Sequence, residues 1–551
     1  MNKENFIKLY EESFRNNFDL PALSDYGTNT KFTYGELAKE IEKIHILFAE
    51  CNVKRGDKIA LIGRNTSRWC IVYMATVTYG AIIVPILQDF NPNDVHHIVN
   101  HSESVFLFAS DLIWDSLEDE KLPEIRGSFS LTDFGVQYQR DGENLYVLTK
   151  QLDDKFNKKH PKGFSPSDIK YTDLSDDKVL VLNYTSGTTG FSKGVMITGG
   201  NLSGNMTFAR EEIDLKVGDK MLSFLPLAHT YGSAFEFLYS LSAGCNITLL
   251  GKTPSPKILL KAFEEVKPAL IISVPLILEK IYKKMILPIL GKKTMRLALN
   301  IPVLDTQIYA QIRKKLVDAF GGRFKQIIIG GAPLNAEVED FLLKIKFPVS
   351  VGYGMTECAP LISFSLCPKY IPHSCGKLLN CMEVRIDSED PYNVAGEIQV
   401  KGQNVMLGYY KNEEATNEAF TEDGWLKTGD LGTIDADNNI FIRGRSKSMI
   451  LGASGQNIYP EEIEAKLDNM PFVMESLVVD RGGRLVALVY PDYDAVDGTG
   501  ISEDDLKLIM NENKESLNKI VASYERIADI ELFPTEFVKT PKKSIKRYLY
   551  K

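Results

Sequence analysis

The chain has 551 residues, 44% hydrophobic and 25% charged, with a formal net charge of -9. That length is too great for one compact core and predicts at least two domains. The composition is that of an ordinary globular protein, and an acidic balance with no long basic block excludes nucleic acid as the main partner. The N-terminal run Met1-Asn-Lys-Glu-Asn-Phe6 lacks the basic-then-apolar layout of a secretory signal. No apolar run approaches the roughly 20 residues of a bilayer span. The expectation is a cytoplasmic chain; loose peripheral contact with the inner membrane face stays open, because it needs only a short amphipathic surface.

Short apolar runs alternate with longer amphipathic ones. Residues 58–62, 81–84, 104–108, 269–272 and 326–329 read as buried strands, while 34–51 and 256–266 carry apolar residues at helical spacing. This alternation predicts α/β architecture with largely parallel sheets, whose ligands sit beyond the carboxyl ends of strands. His96, His97 and His101 fall on a helical stretch and receive no role. Cys358, Cys367, Cys375 and Cys381 cluster without a Cys-x-x-Cys pair, so they read as small, reduced core residues rather than a zinc site.

The run Tyr184-Thr-Ser-Gly-Thr-Thr-Gly-Phe-Ser-Lys-Gly-Val195 follows a short apolar strand at 179–182. Its glycines let the backbone approach a ligand with its N–H groups turned inward, its hydroxyls add donors, and Lys193 adds a positive charge. That combination suits a polyphosphate, although the spacing fails the Walker A pattern. By composition alone an ordinary polar turn is an equal reading. Past Arg445 the pattern changes to a helix at 458–467, strands at 476–479 and 485–490 around the turn Asp480-Arg-Gly-Gly483, a helix at 502–519 and a strand at 530–533. This is a self-contained α+β unit of normal domain size.

The loop resembles the phosphate-binding loop of the AMP-forming adenylating superfamily, which includes acyl-CoA synthetases, luciferases and the adenylation domains of peptide synthetases. Further blocks of that family's pattern follow in order. They are Gly330-Gly-Ala-Pro-Leu334, Val351-Gly-Tyr-Gly-Met-Thr-Glu357, Asp423-Gly-Trp-Leu-Lys-Thr-Gly-Asp-Leu-Gly432 and Arg443-Gly-Arg445 with Tyr459-Pro-Glu-Glu-Ile463 beyond. The likeness runs from about Phe32-Thr-Tyr-Gly-Glu-Leu37 to the last residues. It implies a large N-terminal adenylating domain of stacked α/β subdomains, residues 1–445, and a small mobile α+β domain, residues 446–551.

The resemblance implies two half-reactions: a carboxylate attacks ATP to give an acyl-adenylate, and a thiol, usually that of coenzyme A, then displaces AMP. The implied holders of ATP are Thr185, Ser186, Gly187, Thr188, Thr189, Gly190 and Lys193 for the leaving phosphates, and Thr356 for the α-phosphate. Glu357, with Thr185, is the implied Mg²⁺ ligand. Gly331, Ala332, Pro333 and Tyr353 are implied to sandwich adenine; Asp430 to accept from the ribose hydroxyls; Arg445 to support ribose and phosphate. His229 corresponds to the gate between the ATP and acyl pockets, Lys447 to the hinge, and the loop holding Gly452 and Gly455 to the pantetheine channel.

One position departs from the family. Where its adenylation lysine stands, the stretch Lys539-Thr-Pro-Lys-Lys-Ser-Ile-Lys-Arg547 aligns Ser544, leaving Lys543 and Lys546 as replacements, with Lys543 preferred. Residues 226–236 and the long segment before Gly330 resemble the long-chain fatty acyl-CoA synthetase branch; an acyl pocket is expected near 224–237 and 276–316, though plain helix packing accounts equally for the apolar residues at 276–290. The expectation is a fatty acid–CoA ligase using ATP, Mg²⁺ and coenzyme A. The alternatives are a ligase loading an acyl carrier protein and a non-catalytic acyl or nucleotide sensor, the latter kept open by Ser544.

Overall fold

The computed structural model describes residues 5–185, 192–301, 304–451, 456–540 and 544–550. They form two compact units. The first comprises Met1–Leu334, Val338–Glu383 and Lys401–Gly424; the second comprises Asn335–Glu337, Val384–Val400 and Trp425–Lys551.

Two sheets build the first unit. In the larger, the strands run Gly408–Tyr409, Lys193–Thr198, Val179–Thr185, Ile82–Ile86, Lys58–Ile62, Ser104–Ala109, Gly127–Ser130 and Val136–Gln139. Its centre is parallel and its two ends are antiparallel. The second sheet runs Val349–Val351, Gln326–Ile329, Leu270–Ser273, Lys220–Ser223, Asn246–Leu249, Pro21–Asp25 and Lys31–Thr33, parallel until its last pair. Ile59, Ala60, Leu61 and Ile62 are wholly buried, as are Ile327 and Ile329. Burial on both faces is why these strands read as unbroken apolar runs instead of alternating ones.

Helices are set by their ends. Thr33 Oγ1 accepts from Glu36 N at 3.1 Å and Glu36 Oε2 accepts from Thr33 N at 2.8 Å, a capping box that starts helix Tyr34–Glu50. Helix Ser67–Tyr79 stops at Gly80, whose φ of 91° is left-handed.

The second unit holds a four-stranded sheet ordered Met382–Asp387, Gly396–Gly402, Leu426–Ile434, Ile440–Arg445. It also holds a three-stranded sheet, Val473–Asp480, Leu485–Pro491 and Ile527–Leu532, backed by helices Pro460–Leu467 and Glu503–Ile520 around Ile463, Leu467, Ala487 and Leu517. The expected division after Arg445 falls inside this unit. Strands Leu426–Ile434 and Ile440–Arg445 form a ladder with each other, the first of them also pairs with residues 396–400, and all of these residues belong to this unit.

The structure shortens the loop expected at 184–195. The strand before it continues through Thr185 and the strand after it begins at Lys193, with those two residues paired across an antiparallel ladder. The stretch 276–316 breaks into Pro275–Ile281, Tyr282–Ile286, Leu287–Leu290, Lys293–Ala298 and Leu304–Ala319, and the helical turn Leu287–Leu290 buries no residue. No described helix is long and apolar enough to cross a membrane. All seven cysteines are free, and among the described residues no group of three or more His, Cys, Asp or Glu is arranged to hold a metal.

Candidate functional site

In the first unit a cavity opens beyond the carboxyl ends of the smaller sheet's strands, lined among others by His229, Thr230, Gly331, Tyr353 and Thr356. His229 caps the turn Thr230–Gly232, its Nδ1 accepting from Tyr231 N at 3.2 Å. Asn183 Nδ2, on the strand leading to the Thr/Ser/Gly-rich loop, donates to Ala228 O at 2.9 Å and ties that strand to the His229 segment.

Tyr231 is the piece the sequence reading missed. Its hydroxyl donates to Ile328 O at 3.1 Å, and its ring lies where a side chain on Gly330 would go: a Cβ there would meet the ring at 2.9 Å. The first glycine of Gly330-Gly-Ala-Pro therefore makes room for a tyrosine, not for a ligand. Gly331 is different. Its φ is 86°, and an added Cβ would find only Val274 Cγ1, at 3.9 Å, so this glycine serves the turn and leaves the cavity wall open. Ala332 and Pro333 follow on the exposed side. At Gly354 an added Cβ would come within 2.2 Å of Pro360 O, which lets the Tyr353–Gly354 strand pass tightly over its partner Leu361–Ser363.

Tyr353 and Thr356 are both buried. The Thr230 hydroxyl is also buried and has no hydrogen-bond partner among the described residues. Buried hydroxyls are normally paired, so an orphan in a cavity wall marks room for a polar ligand group.

Glu357 begins where the backbone is pinned by Met406 N donating to Glu357 O at 2.8 Å, and its Oε1 accepts from the Tyr409 hydroxyl at 2.9 Å. The Lys193 ammonium stands 5.0 Å over the Tyr409 ring. Strand Gly408–Tyr409 pairs with Val195 and Met196, so one two-residue strand joins the far end of the loop to Glu357. Burial, then the Glu357 charge, pushes the Tyr409 hydroxyl far above its ordinary range, which keeps it a donor. Nothing in the sequence reading singled out Tyr409; only its place in the run Gly408-Tyr-Tyr410 would have drawn attention.

Behind the near end of the loop, His101 Nδ1 lies 2.7 Å from the Tyr184 hydroxyl, and Tyr410 OH donates to Glu103 at 2.9 Å. His101, given no role from sequence, thus packs against the residue preceding Thr185. Burial, with the neighbouring His97 and Lys411, lowers its pKa. Glu236 is fully buried and accepts from Ser223 Oγ at 2.9 Å and from the N–H groups of Phe224 and Leu225 at 3.1 Å, fixing the wall before His229. Burial raises its pKa well above the carboxylate range.

In the second unit Asp430 is buried and faces Arg445 across the ladder, Arg445 Nε standing 2.9 Å from Asp430 Oδ1. The guanidinium is mostly exposed. Lys447 is exposed, in the turn closed by Ser448 and Met449 N–H groups on Arg445 O. Lys546 N donates to Val538 O at 2.8 Å, and Thr540 N to Ser544 O at 2.8 Å, so the tail carrying Ser544 folds back as a narrow hairpin. Ser186, Gly187, Thr188, Thr189, Gly190, Gly452, Gly455 and Lys543 lie outside the described residues.

A profile of the AMP-binding enzyme family matches residues 10–410. The long-chain-fatty-acid–CoA ligase FadD15 of Mycobacterium bovis is 29% identical over 95% of this chain and 90% of its own length. The ATP-bound structure of MatB from Rhodopseudomonas palustris superposes with a TM-score of 0.76 at 22% identity, covering 99% of this chain and 98% of that one. The o-succinylbenzoate–coenzyme A synthetase MenE of Bacillus subtilis, solved with ATP and a magnesium ion, gives 0.72 at 22% identity over 99% and 98%.

Proposed function

The chain belongs to the AMP-binding enzyme family, and from that premise we propose that it activates a medium- or long-chain fatty acid, first as acyl-adenylate and then as acyl-CoA. The observation that carries the reading is the cavity uniting His229, Gly331, Tyr353 and Thr356, with an orphan hydroxyl at Thr230 in the same wall. The fatty acid is favoured by the likeness to FadD15 over nearly the whole chain. The likeness to an o-succinylbenzoate ligase is a likeness of fold.

In the first half-reaction a carboxylate oxygen of the acid attacks the α-phosphorus of ATP. The bond from that phosphorus to the bridging oxygen breaks, and pyrophosphate leaves. Both the attacking and the departing groups are anionic, so the site must supply donors and positive charge. Thr185, Lys193 and the intervening residues 186–190 hold the leaving phosphates, and Thr356 donates to the α-phosphate. Tyr353 stacks on adenine against Gly331, Ala332 and Pro333. Asp430 takes the ribose hydroxyls, oriented by the Arg445 guanidinium at 2.9 Å. The Thr185 hydroxyl and Glu357 carboxylate are hard oxygen donors that fit Mg²⁺, which when bound neutralises phosphate charge.

Ser544 cannot provide the cation that the family places there, and Lys543 supplies it in preference to Lys546. In the second half-reaction a thiol sulfur attacks the acyl carbonyl carbon, loses its proton, and AMP departs. Lys447 is the hinge between the two states, His229 gates the acyl pocket, and Gly452 and Gly455 border the thiol's approach.

The test is product formation from ATP and a ladder of saturated fatty acids, with and without coenzyme A, read by mass spectrometry. Acyl-CoA with AMP is the expected result. Acyl-adenylate that accumulates despite coenzyme A would transfer the second step to a carrier-protein thiol. Nucleotide binding without AMP from any acid would overturn the ligase and leave a sensor.

A further inference from the structure

Residues 280–304 are unlike the rest of the chain. The protein carries 73 acidic against 64 basic residues, yet this stretch contains Lys280, Lys283, Lys284, Lys292, Lys293 and Arg296 and no Asp or Glu. It is also poorly buried for so apolar a sequence. Leu297 is 68% exposed and Ile301 54%, with Met285 and Leu304 also exposed. The turn Leu287–Leu290 buries nothing and packs mainly in series, against Tyr282–Ile286 before it and Lys293–Ala298 after it. Lys280, Lys284, Lys292 and Lys293 are exposed beside these side chains. Scattered exposed leucines need no explanation, but a run of short helical turns presenting aliphatic side chains among lysines does.

We infer that the helical turns between Lys280 and Ile301 form a docking surface for an anionic lipid bilayer. The charge is complementary to phosphate headgroups, and each Lys near such a surface adds to binding. Aliphatic side chains enter the acyl boundary while the lysine stems lie along it with their ammonium groups in the headgroup layer. A protein partner is disfavoured by composition. Protein interfaces are enriched in aromatic residues and depleted of lysine, whereas residues 280–304 contain five lysines and a single aromatic residue, Tyr282, which is buried.

Co-sedimentation of the full chain with vesicles, in the absence of ATP and acid, tests the inference. The expected result is binding to phosphatidylcholine vesicles carrying about one third phosphatidylglycerol, little binding to pure phosphatidylcholine, and release by added salt. The combined change Lys284→Glu, Lys292→Glu and Lys293→Glu should weaken binding about tenfold or more. Leu297→Ser with Ile301→Ser should weaken it at unchanged charge. Both sets lie on exposed positions, and circular dichroism checks that they fold. No binding to anionic vesicles, or binding that both variants leave intact, overturns the inference. So does a dimer in equilibrium sedimentation that Leu297→Ser with Ile301→Ser dissociates, since a second copy would then be the occupant.

Discussion

The Tyr409 hydroxyl donates to Glu357 Oε1 at 2.9 Å while the same ring lies 5.0 Å beneath the Lys193 ammonium. One side chain therefore positions both a carboxylate and a cation, the cation at the start of the strand that follows the Thr/Ser/Gly-rich run. A hydrogen bond to a charged group contributes roughly 1.5–3 kcal/mol, so Tyr409→Phe should slow ATP–pyrophosphate exchange about tenfold or more. The ring stays, and thioester formation from preformed adenylate should be nearly unchanged. Tyr409→Leu, which also removes the face under Lys193, should be slower still. Exchange at the wild-type rate in Tyr409→Phe would remove Tyr409 from the site.

Lys543→Ala should slow adenylate formation far more than thioester formation from preformed adenylate, while Lys546→Ala should do less. The two half-reactions are separated by supplying acyl-adenylate and coenzyme A directly. Equal losses in both steps would sink the assignment of Lys543 as the adenylation lysine.

In the second unit Arg547 donates to both oxygens of Glu464, at 2.8 and 2.7 Å. Burial pushes that carboxyl up, and the guanidinium pulls it back. Breaking a buried pair on one side costs about 3–5 kcal/mol, because the remaining group is left uncompensated. Arg547→Ala should therefore lower the urea midpoint sharply, and adding Glu464→Gln should recover much of the loss. Additive losses in the double variant would contradict the pairing.

His45 is enclosed between helices Tyr34–Glu50 and Ser67–Tyr79, its Nε2 3.0 Å from Ala75 O. Burial lowers its pKa from 6.5 to about 4, against the pull of Glu42. Between those values the unfolded chain takes up a proton that the folded chain refuses. The contribution is complete above pH 6.5 and is lost as the pH falls towards 4, by up to about 3 kcal/mol. His45→Gln should flatten that part of the stability–pH curve relative to wild type; an unchanged slope would mean that other groups set it.

Two glycines should respond oppositely to alanine. At Gly354 the new Cβ would meet a backbone oxygen at 2.2 Å, so Gly354→Ala should destabilise by about 1–3 kcal/mol. At Gly498, in helix Tyr493–Thr499, nothing lies within 4 Å, and Gly498→Ala should stabilise by about 0.5–1 kcal/mol. Thermal melts of the two variants check both signs.

Much of the fold was legible because burial on both faces writes itself as composition. Strands Lys58–Ile62 and Gln326–Ile329 and helix Pro256–Val266 are where the apolar patterns place them. Edges moved where a partner extended the ladder: pairing of Thr185 with Lys193 shortened the expected loop.

By itself the sequence determined the α/β class, the Thr/Ser/Gly-rich loop and the residue types able to meet a polyphosphate, since each depends on local periodicity or on ordered short motifs. Tertiary structure alone decided that Tyr231 fills the space at Gly330, that Tyr409 joins Glu357 to Lys193, and that residues 287–290 bury nothing. Glu357 and Tyr409 are 52 positions apart. Contacts of that separation arise from how strands are ordered in a sheet, and no periodicity along the chain records that order.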